Sequence, residues 1–430
     1  MNVAISGAAV LSPLAEELDD FLTALLEGRS AVSVDGTDGA AEPGREPLPM
    51  ARLGDFKAAE WAVRHLDGRP RTAVALRGVV GRAALPAQTA ACVALKAVLD
   101  AGLPMVEEEG GDRHFWGHGA AVLVAGSQLA LAHQAKTALA HHRSPAGLRA
   151  SYALTHMDVD VIGAVSELLG VRGEGCVVGG ASASGSLALI QGARMVSAGW
   201  VDRVVVVAPV AELSAVEVEA FRRSGALAHE GFMDTPERMC RPFDEERRGF
   251  VRGEGAAAVV LERAGAVRSR GGETKAEIIG HGQRLDARRG TSPSLAGQVA
   301  AMRAALTVGG LRPAEVDYVN AHGTGSVLGD ETEAASLLEV FGETARTSRP
   351  AINSTKPLIG HCLSAAGLLE AVATVLQVRA GVCHPNPNLE NPFERRLPLV
   401  GQVPERRQLR TALSNSFAFG GINASIVFRA

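Results

Sequence analysis

The sequence predicts an α/β fold built on a mainly parallel central sheet, and three observations carry that prediction. Strand-like and helix-like segments alternate along the chain, the order that layers helices on a sheet. "VDRVVVVAPV" (201–210) is an unbroken apolar run, as a strand covered on both faces shows. A strand, small-residue turn and helix at 177–198 is echoed by a strand, His-Gly turn and helix at 316–341, which points to an internal duplication.

Taken in order, Asn2–Ala8 is a short strand, and Ala15–Leu26 repeats apolar residues at helical spacing. "DGTDGAAEPGREP" (35–47) is a polar Gly/Pro loop. Pro86 to Ala101 is a helix with proline at its first position and Gly102 as its stop. Ala120–Ala125 is a buried strand, and Val159–Leu169 a helix closed by Gly170. The turn near Ser182 lies between a strand at 176–179 and a helix at 184–198 capped by Gly199. Further strands are expected at 256–261, 275–281, 316–321 and 424–429, with helices at 298–309, 330–341 and 364–379. The segment "ERAGAVRSRGGET" (262–274) is the expected link between halves.

The totals narrow the function classes. The chain has 430 residues, 47% hydrophobic and 21% charged, the balance of a globular protein with a large core. Its net charge of −4 and scattered arginines give no nucleic-acid footprint. Five cysteines form no CxxC pair, so neither a zinc site nor a disulfide framework is expected. The N-terminus lacks a basic leader, and no apolar run approaches the roughly 20 residues that span a bilayer. A cytoplasmic protein with no membrane partner is the expectation.

Four stretches carry chemistry. In "VVGGASASGSLALIQGARMV" (177–196) small residues permit a sharp strand-to-helix bend whose tip, Ser182, faces the helix N-terminus. The free N–H groups and positive dipole end there stabilise an oxyanion or activate a cysteine. A serine gains far less without an adjacent base. The turn also nearly fits the G-x-S-x-G elbow of hydrolases, and a simple packing turn has the same composition. "NAHGTGSVLGDETE" (320–333) holds His322 between a strand end and a glycine-rich turn, with Thr324 beside it. "NSTKPLIGHCLSAAGLLEA" (353–371) places Lys356 and His361 five apart before an Ala/Gly-rich helix, and Glu333 is the expected partner of Lys356. "NSFAFGGIN" (415–423) sets paired glycines among phenylalanines, a backbone suited to close ligand approach.

In this combination and order the four stretches resemble the condensing enzymes, the β-ketoacyl synthases of thiolase fold, and the resemblance spans essentially the whole chain. It implies a thiolase-like α-β-α-β-α layering of two pseudo-duplicated halves, 1–262 with the Ser182 turn and 274–430 with the His/Lys motifs, in one domain over 1–430. His322, Lys356 and His361 match the family's HGTG and KxxxGH motifs, while Ser182 stands where the family has a nucleophilic cysteine. "SYALTHMDVDVIGAVSELLGVRGEG" and "GFMDTPERMCRPFDEERRGFVRGEG" resemble more narrowly the free-standing ketosynthase-like decarboxylases of polyketide β-branching cassettes, although Glu254 stands where that subgroup is expected to have glutamine.

That likeness implies decarboxylation of malonyl-acyl carrier protein to acetyl-acyl carrier protein without condensation. It assigns catalysis to His322, His361, Lys356 and Ser182, support to Glu333 and Thr324, and the oxyanion and pantetheine entrance to Phe417, Phe419 and Gly420. It implies no metal and no cofactor beyond the carrier's phosphopantetheine. The implied partners are a malonyl-loaded carrier, a second copy of the chain and an HMG-CoA-synthase-like pathway neighbour. Two other functions share these residues: a non-catalytic chain-length-factor-like subunit, and a serine acyl hydrolase or acyltransferase using Ser182.

Overall fold

The computed structural model describes residues 3–34, 48–104, 116–342 and 350–430, so the loop expected over 35–47 lies outside it. Ten strands form one sheet: β1 (Val3–Leu11), β2 (Ala120–Ala125), β3 (Gly175–Val178), β4 (Arg203–Ala208), β5 (Ala256–Arg263), β6 (Ala276–Leu285), β7 (Tyr318–Asn320), β8 (Ala351–Asn353), β9 (Thr411–Ala418) and β10 (Ile422–Arg429). From edge to edge they run β8-β7-β9-β10-β6-β1-β5-β4-β2-β3. Outward from the centre, the first half reads 1-5-4-2-3 and the second 6-10-9-7-8, which is the same order five strands later. The topology shows the duplication, but it makes β8 the counterpart of β3, so the segment at 177–198 is repeated over 351–380 and not at 316–341 as expected.

The expected mainly parallel sheet is instead mixed. The pairs within β4-β2-β3 and β9-β7-β8 are parallel, whereas β1 with β5 and β6, β5 with β4, and β10 with β9 and β6 are antiparallel. A tight turn forces one of these. Gly420 and Gly421, at φ 81° and 72°, return the chain from β9 to β10 through a left-handed conformation that glycine adopts without strain. Strand β9 itself was not expected, because "TALSNSFA" looks like a polar loop. Its polar residues are buried, and two of them are partnered across the core: Ser416 Oγ lies 2.8 Å from Ser186 Oγ, and Asn415 Oδ1 accepts from Ser425 Oγ at 2.8 Å.

Seven helices shape the layers: α1 (Leu85–Asp100), α2 (Leu131–Arg143), α3 (Val159–Leu169), α4 (Ser184–Ala198), α5 (Leu295–Gly309), α6 (Val327–Phe341) and α7 (Ala366–Ala380). Helices α1 and α3 pack on one outer face, α5 and α6 on the other, and α4 and α7 lie between the half-sheets. This explains the valine run of β4: Val204 and Val206 enter the middle core, Val205 and Val207 the outer one. All four are buried, and each contributes about 1.5–3 kcal/mol.

Between the halves, β5 ends at Arg263, a short helix covers Ala264–Ser269, and β6 begins at Ala276. The stretch Leu363–Ala380 is long and apolar enough to cross a membrane by length and composition, but most of it is buried in the middle layer. It is a core helix here.

Helices α4 and α7 cross with their backbones in contact. A Cβ on Gly185 would lie 2.4 Å from the Leu368 nitrogen, and one on Gly367 would lie 2.8 Å from the Ser186 nitrogen. No side chain fits at either position without moving a backbone. This crossing fixes the two helix starts against each other, and the start of α4 carries Ser182.

Candidate active site

Each half delivers one helix start to the same place by the same device. In the first half, β3 leads to Gly179–Gly180, then Ala181 at φ 47°, a single 3-10 turn over Ala181–Ala183, and α4. In the second, Leu363 at φ 52° opens a 3-10 turn over Leu363–Ala365, and α7 follows. Ser184 knits the first turn, its hydroxyl donating to the Ala181 carbonyl at 2.8 Å and accepting from the Gly180 N–H at 2.9 Å. Ser182 therefore stands on a rigid platform.

His361 comes just before the second turn and reaches across to Ser182, with Nε2 2.9 Å from Oγ. The other ring nitrogen decides what that contact means. Nδ1 accepts the backbone N–H of Leu363 at 3.2 Å, so in the neutral ring the proton sits on Nε2 and is donated to the serine. A histidine in this tautomer cannot take the proton of Ser182.

His322 follows β7 in the turn at 321–325, which two carboxylates from the first turns of α6 hold. Glu333 accepts the N–H groups of His322 and Gly323 at 2.8 and 2.7 Å. Asp330 accepts those of Thr324 and Gly325 at 3.0 and 3.2 Å, and that of Phe243 with its other oxygen. Burial pushes Glu333 up to about 7 and Asp330 up to about 6, although these N–H groups oppose the shift.

The expected Lys356–Glu333 pair does not form. Lys356 instead ion-pairs with Glu370 on α7, donates to the His322 carbonyl oxygen, and sits 3.4 Å from His322 Nδ1. Glu333 is spent on the backbone of the histidine turn, while Glu370 lies directly opposite the ammonium. Lys356 thus serves His322, and His361 is held by Leu363 instead. Glu370 went unnoticed in the sequence, yet it had a signal: it is the one carboxylate in the otherwise apolar stretch 362–376, where a buried charge requires a partner.

The two imidazoles meet edge to face, centroids 5.5 Å apart, and both are nearly fully buried. Burial, with the Lys356 charge adding to it, holds both well below the usual imidazole range. They are therefore neutral at physiological pH. With an ammonium against its Nδ1, His322 also keeps its proton on Nε2. Two neutral N–H donors fixed in a buried site are suited to an oxygen that gains negative charge.

Ser182, His322 and His361 line a cavity of about 520 Å³ together with Thr324, Glu333 and Phe417. Phe419 stands at its mouth, 39% exposed and 6.3 Å from the Phe221 ring. Thr324 Oγ1 is 2.9 Å from Ser326 Oγ. Gly420 is not in the wall: it turns the β9–β10 hairpin and donates its N–H to the Gly290 carbonyl. Glu254 lies elsewhere, beside Arg252 and the Leu53 N–H. Among the described residues no group of three His, Cys, Asp or Glu is placed to hold a metal, and all five cysteines are free.

A duplicated five-layer fold with two histidines and a lysine gathered at the start of a buried helix defines a ketosynthase-type molecule. Residues 1–266 match the model of the beta-ketoacyl synthase N-terminal domain and residues 275–390 that of its C-terminal domain. The chain belongs to the beta-ketoacyl synthase family.

Among its relatives are the polyketide biosynthesis malonyl-ACP decarboxylase PksF of Bacillus subtilis, 38% identical over 276 residues (64% of this chain, 65% of that one), and the 3-oxoacyl-[acyl-carrier-protein] synthase 2 of Rhizobium meliloti, 39% identical over 262 residues (60% and 61%). These matches span less than two thirds of either relative's length. A beta-ketoacyl synthase from Burkholderia phymatum superposes with a TM-score of 0.84 at 27% identity, over 100% of this chain and 99% of that one. The ishigamide ketosynthase/chain length factor shares the fold at a TM-score of 0.84 and 24% identity, over 100% and 99% of the two chains.

Proposed function

We propose that this chain decarboxylates malonyl carried on an acyl carrier protein, leaving acetyl on the carrier, and does not condense. The observation that carries this reading is the Leu363 N–H at 3.2 Å from His361 Nδ1, from which we infer that the proton of the neutral ring sits on Nε2. It leaves Ser182 as an acceptor without a base and argues against both acyl loading and serine hydrolysis. It also leaves two aligned donors in place. In this reading the thioester carbonyl oxygen takes the position between His322 Nε2–H and His361 Nε2–H, replacing Ser182 as the acceptor of His361. The bond from C2 to the carboxylate breaks, its electron pair passes into the enolate held by the two donors, and carbon dioxide leaves. Water protonates C2, and the hydroxide it leaves combines with the carbon dioxide as bicarbonate.

Lys356 and Glu370 keep His322 in its donor tautomer, and Thr324 faces the departing carboxylate. Phosphopantetheine, entering past Phe419 and Phe417, is the sole prosthetic group of this reading. Arg248 in the cavity wall and exposed Arg288 and Arg289 on the neighbouring loop suit the phosphate that links the arm to its carrier. The exposed edge of β3, paired only with β2, and helix α2, which buries no residue, support a homodimer. A malonyl-ACP decarboxylase at 38% identity and a synthase at 39% are equally similar to this chain, so the choice between the two chemistries rests on Ser182 and the histidines around it. A cytoplasmic place in polyketide β-branching, upstream of an HMG-CoA-synthase-like enzyme that consumes the acetyl carrier, completes the proposal.

Mass spectrometry of malonyl- and methylmalonyl-loaded carrier protein after incubation with the enzyme tests it. Loss of carbon dioxide from one or both is expected. Retention of the full mass by both refutes the decarboxylase reading.

A further inference from the structure

The wall of the cavity contains a carboxamide that the chemistry above leaves unused. Gln298, on the first turn of α5, is 1% exposed, lines the cavity, and has no hydrogen-bond partner for its Oε1 among the described residues. The polar groups beside the preceding residue, Gly297, are already engaged. Asn423 donates to Asp286 Oδ1 at 2.8 Å, the Asp286 N–H is taken by the Gly421 carbonyl, and Ser294 caps the helix by accepting from the Gly297 N–H. A buried acceptor left unpaired is costly, and an apolar side chain of similar size would avoid that cost. The position is therefore poorly explained by packing and well explained by a ligand that brings an N–H into the cavity.

The pantetheine arm of a carrier protein has two amide N–H groups along its length, and a thioester held at His322 and His361 must draw that arm through this cavity. We propose that Gln298 is a positioning residue that accepts an amide N–H of the pantetheine arm, a step that rests on carrier-bound substrate entering past Phe419. The oxygen finds its partner only when the arm is bound. Recognition of the arm is thereby separated from the chemistry at the histidines.

The test compares thioesters that differ only in the arm. Malonyl-S-pantetheine carries both amides, and malonyl-S-propyl carries neither. For Gln298→Leu, kcat/KM with the pantetheine thioester is expected to fall about 2- to 10-fold, the worth of one neutral hydrogen bond, while the propyl thioester is turned over as by the wild type. The melting temperature of the variant should stay level or rise, since an unpaired buried oxygen is lost. Gln298→Met provides a second, unbranched variant should leucine disturb the wall. Equal losses on both thioesters, or no loss on either, overturn the proposal. Binding of unreactive acetyl-S-pantetheine, measured by calorimetry, reads the same contact without turnover. Failure of the wild type to decarboxylate would then count against the proposed function, and unchanged binding by the variant against Gln298.

Discussion

Replacing Lys356 by methionine probes the buried heart of the site. The ammonium and the Glu370 carboxylate are both about 1–2% exposed and in direct contact. Removing one partner of such a pair typically costs about 3–5 kcal/mol, because the other charge is left in the core. Burial already raises Glu370 above the usual carboxylate range, with Lys356 opposing the shift. Without the lysine the carboxyl rises further and can escape the penalty by taking up a proton. A group with a raised folded pKa contributes stability that is complete below its unfolded value, near about 4.3, and is lost as pH climbs toward the folded one. Up to about 1.4 kcal/mol is lost per pH unit for one such proton.

Urea unfolding of wild type and Lys356→Met at pH 5.5 and pH 8 should therefore show a deficit near the upper end of that range at pH 8 and a smaller one at pH 5.5. Lys356→Met/Glu370→Leu, which removes both charges, should recover most of the stability. It should not recover decarboxylation, because His322 Nδ1 no longer faces a cation and the donor tautomer is no longer enforced. The loss is expected to approach that of an oxyanion donor, about 10²–10³ in rate. A deficit that is equal at both pH values, or a double variant with the wild-type rate, would refute this account of the lysine.

Four further outcomes follow. His322→Ala and His361→Ala should each lower the rate of carbon dioxide release by about 10²–10³, measured on malonyl-loaded carrier; near-normal turnover in both would remove the histidines from the chemistry. Ser182→Ala should lose far less than either, whereas a serine hydrolase would be abolished. Ser182→Cys places a thiol at the α4 start and should acquire acyl-carrier-dependent acylation, visible as a mass increase on the intact protein. His384, wholly buried and held down to about 4 by desolvation, is stabilising in its neutral form. That stability is present above the unfolded value of about 6.5 and is lost as pH falls, reaching about 3 kcal/mol near pH 4. Unfolding of His384→Gln across pH 4–7 should show a shallower acid limb, and an unchanged limb would contradict the assignment.

How much of this was legible in the sequence depends on what each feature needs. Helix α4 and its Gly199 cap were readable to the residue, because periodicity and a left-handed stop are local facts. Strand β9 was not, because its buried Ser416 and Asn415 are satisfied by partners on α4, α6 and β10 that no local pattern reveals. His322, Lys356 and His361 were recognisable as motifs, but the partner of the lysine was misassigned. Glu333 and Glu370 are both plausible carboxylates in sequence, and only the packing of α7 against the turn after β8 selects the second.

The serine posed the hardest question, since its turn serves a hydrolase, a condensing enzyme and a packing junction equally well. In the proposed reading, the tautomer of a histidine 179 residues away removes the base that a serine hydrolase would need, and the serine itself, in the cysteine's place, argues against condensation. That tautomer is imposed by a backbone N–H at the start of the second half's own helix turn, where Leu363 adopts the same left-handed φ that Ala181 adopts in the first. The duplication therefore does more than build the fold. One copy of the turn presents the hydroxyl, and the other presents the N–H that holds the histidine facing it.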